Sequence, residues 1–171
     1  MQRRQFLKNG LVLTVLARTS SIYSKNLLSG NTKKLTILHT NDVHSHIEPF
    51  PENHSKNPNM GGVARRATLL EKIRSEEKNV LLVDAGDIFQ GTPYFNYYGG
   101  ELEFKLMSMM KYDVATIGNH DFDNGLEGLY KQLPHATFDF ISANYDFSNT
   151  ILDGLIKPYK IIKKDGLKIG I

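Results

Sequence analysis

Apolar and polar residues alternate through Leu35-Thr36-Ile37-Leu38-His39-Thr40 and then give way to a polar cluster, Asn41-Asp42-Val43-His44-Ser45-His46. A period of two ending in polar residues predicts a strand that opens into a loop. Residues 47–61, with three Pro, three Asn and one Gly, predict a long surface loop. From residue 62 onward Val63, Ala67, Leu70 and Ile73 recur at three- and four-residue steps, which predicts a helix to about residue 78. Val80-Leu81-Leu82-Val83 is a continuous β-rich run, the pattern of a strand covered on both faces. The same reading gives a helix over 101–110, a strand over 113–117, a helix over 125–133 stopped by Pro134, and a strand over 138–143. Asp165-Gly166 sits between two apolar-rich runs, 159–164 and 167–171, and signals a hairpin. Strands alternating with helices predict an α/β domain with a largely parallel sheet, and no internal repeat or interdomain linker interrupts it.

Composition narrows the function classes. With 171 residues, 40% hydrophobic, the chain can bury one core without a disulfide or structural zinc. The absence of Cys removes thiolate metal sites, redox pairs and cysteine nucleophiles. The net charge of +3 comes from the N-terminus: residues 1–25 hold five basic residues and no acid, leaving 16 basic against 18 acidic residues in the remainder. A body so balanced offers no counterion-releasing surface, so a nucleic-acid polymer is excluded as a partner. The N-terminus runs from a cationic start through an apolar stretch at residues 11–17 to a small polar tail. Seven apolar residues cannot cross a bilayer core that needs about 20, so no stable membrane span is expected. Arg3-Arg4-Gln5-Phe6-Leu7-Lys8 resembles the twin-arginine export signal, with a basic arm or an amphipathic helix as the alternative. Residues 1–25 are accordingly expected to engage export machinery and deliver a periplasmic or secreted protein whose mature start falls between residues 17 and 33. The chain stops at Ile171 within a strand-like run, which leads to the expectation of a domain truncated within its fold.

Three acidic, nitrogen-rich clusters each follow an expected strand: Asn41-Asp42-Val43-His44, Asp84-Ala85-Gly86-Asp87-Ile88-Phe89-Gln90-Gly91, and Gly118-Asn119-His120-Asp121-Phe122-Asp123-Asn124. Strand ends in open α/β sheets point to a common crevice, so the three should converge. Asp, His and Asn without Cys suit Mn, Fe(II), Zn, Mg or Co. Each cluster alone has a plain structural reading. Asp42 and Asp87 could be turn residues, His44 a surface histidine, and Asp123 a cap for the helix near Gly125. Their joint order is not required by turn chemistry.

The three blocks resemble the signature motifs of the calcineurin-like metallophosphoesterases, within the branch of 5'-nucleotidases and UDP-sugar hydrolases. Gly61-Gly62-Val63-Ala64-Arg65 is also typical of that branch, and the resemblance spans residues 34–171. It implies a four-layered α-β-β-α sandwich carrying two divalent metal ions. Residue by residue, it implies that Asp42 and His44 bind the first ion, Asp87 bridges both, and Asn119 binds the second. It further implies a catalytic His120 oriented by Asp123, with Asn119 and His120 facing the substrate. Asp121 stands where relatives often have Glu, a change expected to leave the chemistry alone. The remaining ligands of the family, a lone His and a Gly-His-x-His block, are expected beyond Ile171. His46, His54 and His135 do not replace them.

The implied reaction is hydrolysis of a phosphate ester, most naturally a 5'-nucleotide, by water activated between two metal ions. The alternatives are a sulfur-compound hydrolase of the same fold and a phosphate- or nucleotide-binding protein without turnover. This segment by itself is expected to show little activity. Tyr94, Phe95, Tyr97 and Tyr98 could stack a nucleobase, but the favoured reading is that they pack the loop after Asp87 or meet another domain.

Overall fold

The structure, a computed structural model, describes residues 32–171, so the export signal expected over residues 1–25 lies outside the described residues. The chain divides into Met1–Lys34 and Leu35–Ile171, and every helix and strand described belongs to the second unit. In chain order these are β1 (Thr36–Thr40), α1 (Val63–Glu76), β2 (Val80–Asp84), α2 (Pro93–Tyr98), α3 (Glu101–Met109), β3 (Val114–Ala115), α4 (Gly125–Gln132), β4 (Asp139–Phe140), β5 (Ile161–Lys164) and β6 (Leu167–Gly170). Short 3-10 turns at His120–Phe122 and Leu133–His135 flank α4.

The first four strands form one parallel sheet in the order β1-β2-β3-β4. Parallel neighbours need crossovers, and α1, the α2–α3 pair and α4 supply them. Register places Leu38 beside Leu82, Asp84 beside Ala115, and Ala115 beside Phe140. With side chains alternating between faces, Leu38, Leu82, Ala115 and Phe140 share one face. That face packs into the core with Phe104, Met107, Leu129 and Leu152. Phe104 is wholly buried and lies 4.8 Å from Phe140 and 4.7 Å from Phe89, so an aromatic cluster joins sheet, helix and loop.

The hairpin forms as expected, with Ile162 opposite Ile169 and both turn residues, Asp165 and Gly166, at positive φ. Its lysines tie it to the sheet. Lys164 Nζ lies 2.9 Å from Asp113 Oδ1, and Lys160 Nζ lies 2.6 Å from Asp139 Oδ2.

Two strands are shorter than the sequence pattern suggests. The run expected over 113–117 forms a strand only over Val114–Ala115, and just before it the Asp113 carboxylate accepts the Leu82 N–H at 2.8 Å. The run over 138–143 pairs as Asp139–Phe140, and beyond it Ile141 bridges Lys157. The aromatic run forms a helix, α2, begun by Pro93 and ended by Gly99 in the left-handed region at φ 63°. Phe95 packs against Phe89 at 5.3 Å while Tyr97 and Tyr98 stay exposed. The mixed α/β architecture with a parallel sheet is the one expected. Among the described residues the strands outside that sheet are those of the β5–β6 hairpin. No helix among the described residues is long and apolar enough to cross a membrane.

Candidate metal centre

The loops leaving β1 and β2 run side by side because their backbones keep pairing beyond the sheet. Asp42 N–H donates to Gly86 O at 3.0 Å, His44 N–H to Asp87 O at 3.1 Å, and Ser45 N–H to Ile88 O at 2.9 Å. Asp42, His44, Ser45 and Asp87 all have φ between 44° and 55°, a left-handed conformation that costs non-glycine residues free energy and gathers at functional sites. The third loop, after β3, crosses directly over Asp87. At Gly118 an added Cβ would stand 2.1 Å from Asp87 Oδ1 and 2.4 Å from Asp87 N, so only glycine permits this approach.

This geometry brings together Asp42, His44 and Asp87, each offering one ligand atom, with all three atoms within 4.8 Å of one another. His44 Nδ1 lies 3.2 Å from Phe89 O. A carbonyl only accepts, so Nδ1 carries the proton and the Nε2 lone pair is left for a metal. Nε2 in turn lies 4.0 Å from Asp42 Oδ1. Two carboxylates and an imidazole without sulfur fit a divalent ion of hard to borderline character.

His120 stands against this cluster. Its backbone N–H donates to Asp87 Oδ1 at 3.0 Å, and its ring meets the ring of His44 edge-on at 5.2 Å between centroids. His120 Nδ1 lies 3.1 Å from Asp123 Oδ2. The hydrogen bond to Asp123 holds the His120 pKa above its ordinary value, against the lowering by desolvation and with further help from the charges of Asp123, Asp87 and Asp121. Asp123 therefore faces the histidine rather than capping α4, whose first turn is preceded by Asn124 and carries no side-chain cap. Asn119 is exposed at the head of the 3-10 turn, adjacent to His120 in the chain. Of the other histidines, His46 and His54 each contact the Phe50 ring at 4.5 Å between centroids, His135 faces Glu101, and His39 lies within β1.

Sequence reasoning missed the role of Asp121. Its carboxylate is buried and accepts four backbone N–H groups: Asp87 at 3.1 Å, Ile88 at 2.8 Å, Phe89 at 2.9 Å and Gly118 at 2.8 Å. It thus stitches the second loop to the third. Burial pushes its pKa up, opposed by those backbone donors. Beneath it Asp84, also buried, accepts from Thr40 Oγ1 at 2.5 Å and from Gly86 N–H at 2.8 Å. Burial raises the Asp84 pKa to about 6 despite these bonds. No short-range signal marks the Asp121 clamp, whose partners in the second loop are 32 to 34 residues away.

The calcineurin-like phosphoesterase family profile matches residues 35–169. A snake venom 5'-nucleotidase of Crotalus adamanteus is 42% identical over 166 residues, covering 93% of this chain and 28% of that protein. The 5'-nucleotidase of Homo sapiens is 45% identical over 146 residues, covering 81% of this chain and 25% of that one. Among solved structures, a 5'-nucleotidase precursor from Thermus thermophilus superposes with a TM-score of 0.73 at 41% identity, covering 80% of this chain and 27% of that chain. The chain thus spans about a quarter of the length of these relatives. With the family profile matching residues 35–169, well over half of its length, the chain belongs to the calcineurin-like phosphoesterase family.

Proposed function

We propose that this chain carries the metal-binding part of a phosphohydrolase acting on nucleotides, most directly 5'-nucleotides. The observation that carries the reading is the convergence of Asp42, His44 and Asp87 within 4.8 Å, with the His120–Asp123 pair set against them. Asp42, His44 and Asp87 would hold a first divalent ion, and Asp87 with Asn119 would serve a second. Bound there, divalent ions neutralise phosphate charge and acidify a water. The chain's own groups do the rest. Asp123 fixes the His120 ring and favours its protonated form, so Nε2 can donate to a phosphoryl oxygen or to the leaving alkoxide. The His120 backbone N–H holds the Asp87 carboxylate in place. Residues 1–25 act as a twin-arginine signal that sends the protein to the periplasm or outside. Replacing Arg3 and Arg4 with Lys should leave it in the cytoplasmic fraction.

The test uses the protein as its source produces it, assayed for phosphate release from AMP with added Mn²⁺. Asp87→Asn should abolish turnover, and retained activity would remove Asp87 from the mechanism. His120→Ala should lower kcat by roughly 10²-fold with metal content unchanged. Loss of bound metal in that variant would make His120 a ligand instead.

A further inference from the structure

Behind the candidate metal loop lies a small pocket of a different kind. Glu103, on α3, is 3% exposed, and neither carboxylate oxygen finds a hydrogen-bond partner. Ser45, next to His44, is 1% exposed, and its hydroxyl is likewise without a partner. Both line one small cavity of about 20 Å³, whose wall otherwise comprises apolar side chains such as Ile88 and Met107 together with His46 and Arg66. A buried carboxylate without partners is among the costliest features a core can hold, and a second unpaired hydroxyl in the same cavity compounds it. The volume matches one water, which needs roughly 10–15 Å³ and two to four polar partners. A divalent cation would need about six oxygen or nitrogen ligands, more than the polar residues of this wall supply.

We propose that a single internal water fills this cavity, donating to the Glu103 carboxylate and hydrogen-bonded to Ser45 Oγ, so that Glu103 is a positioning residue for the turn carrying His44. The backbone of Ser45 is already committed: its N–H donates to Ile88 O and its carbonyl accepts from Thr92 Oγ1 at 2.7 Å. The side chain is the remaining handle on a residue held at φ 54°. Through the water, α3 grips that handle and resists relaxation of the turn. The effect on metal rests on the reading of His44 as a ligand. The water bridge does not.

Two measurements on the full chain test it. The first is a double-mutant cycle of denaturation midpoints with Ser45→Ala and Glu103→Leu. Each single change should lower the midpoint, and the double variant should fall little below either one, because each already breaks the same bridge. Should Glu103→Leu fail to fold, Glu103→Met, which also removes both carboxylate oxygens, replaces it in the cycle. A midpoint raised by Glu103→Leu, or additive effects, would overturn the bridge, as would a high-resolution crystal structure with no density between Ser45 Oγ and Glu103. The second is Mn²⁺ affinity by calorimetry at a temperature where all variants are folded. Glu103→Leu should weaken binding about tenfold, and Glu103→Gln should restore most of it. Unchanged affinity would make Glu103 merely structural. If the unaltered protein binds no Mn²⁺, the metal-centre reading fails while the cycle and the density still judge the bridge.

Discussion

Asp121 shows how much one side chain can organise. Four backbone donors converge on two carboxylate oxygens, an arrangement an amide cannot reproduce, since its NH₂ would face N–H groups. Asp121→Asn should therefore destabilise the protein by about 2–3 kcal/mol, read from chemical denaturation. Asp84 makes the opposite case. Its carboxyl moves from 3.8 to about 6 on folding, so the folded state holds the proton more tightly than the unfolded chain. Stability from this group is greatest below pH 4 and is lost as pH rises toward 6 and above. The total is about 3 kcal/mol, taking ~1.4 kcal/mol per pKa unit. Asp84→Asn can still accept from Gly86 and pair with Thr40, so the variant should gain on the parent by that amount between pH 4 and 7 in denaturation midpoints. At this scale the gathering of Asp42, His44, Asp87 and His120 was legible because each follows a strand in a parallel sheet. Asp121 was not, because its partners are set by loop crossing and no local pattern records it.

At the scale of elements, the sequence pattern located α1, α3, α4, β1, β2 and the β5–β6 hairpin, since periodicity survives wherever one face is buried. It overran at β3 and β4, each of which is a strand over two residues only. It also passed over α2, although Pro93 at its start and Gly99 at its end are helix signals. The density of aromatics there had suggested a packing loop. The helices hold each other partly through a single cation. Arg74, in the last turn of α1, donates to Met110 O at 2.7 Å and to Lys111 O at 2.9 Å, carbonyls at the close of α3. Arg74→Ala should cost about 2 kcal/mol of folding stability, and Arg74→Lys should recover part of it, since one ammonium cannot span both carbonyls as the planar fork does.

At the scale of the whole molecule, the α/β class and the convergence of three loops followed from strand order alone. The remainder depended on glycines such as Gly118 allowing backbones to touch, and no composition reveals that. The loops that present Asp42, His44 and Asp87 are continuations of the sheet's own pairing, bonded at 2.9 to 3.1 Å past the last strand residue. A seat built this way exists before any ion arrives. Titration of Mn²⁺ into the folded chain should therefore show a heat-capacity change near zero, because almost no apolar surface is left to bury. On that reading the fold would make the seat and an ion would only fill it, with no ordering of the three loops left to oppose its binding.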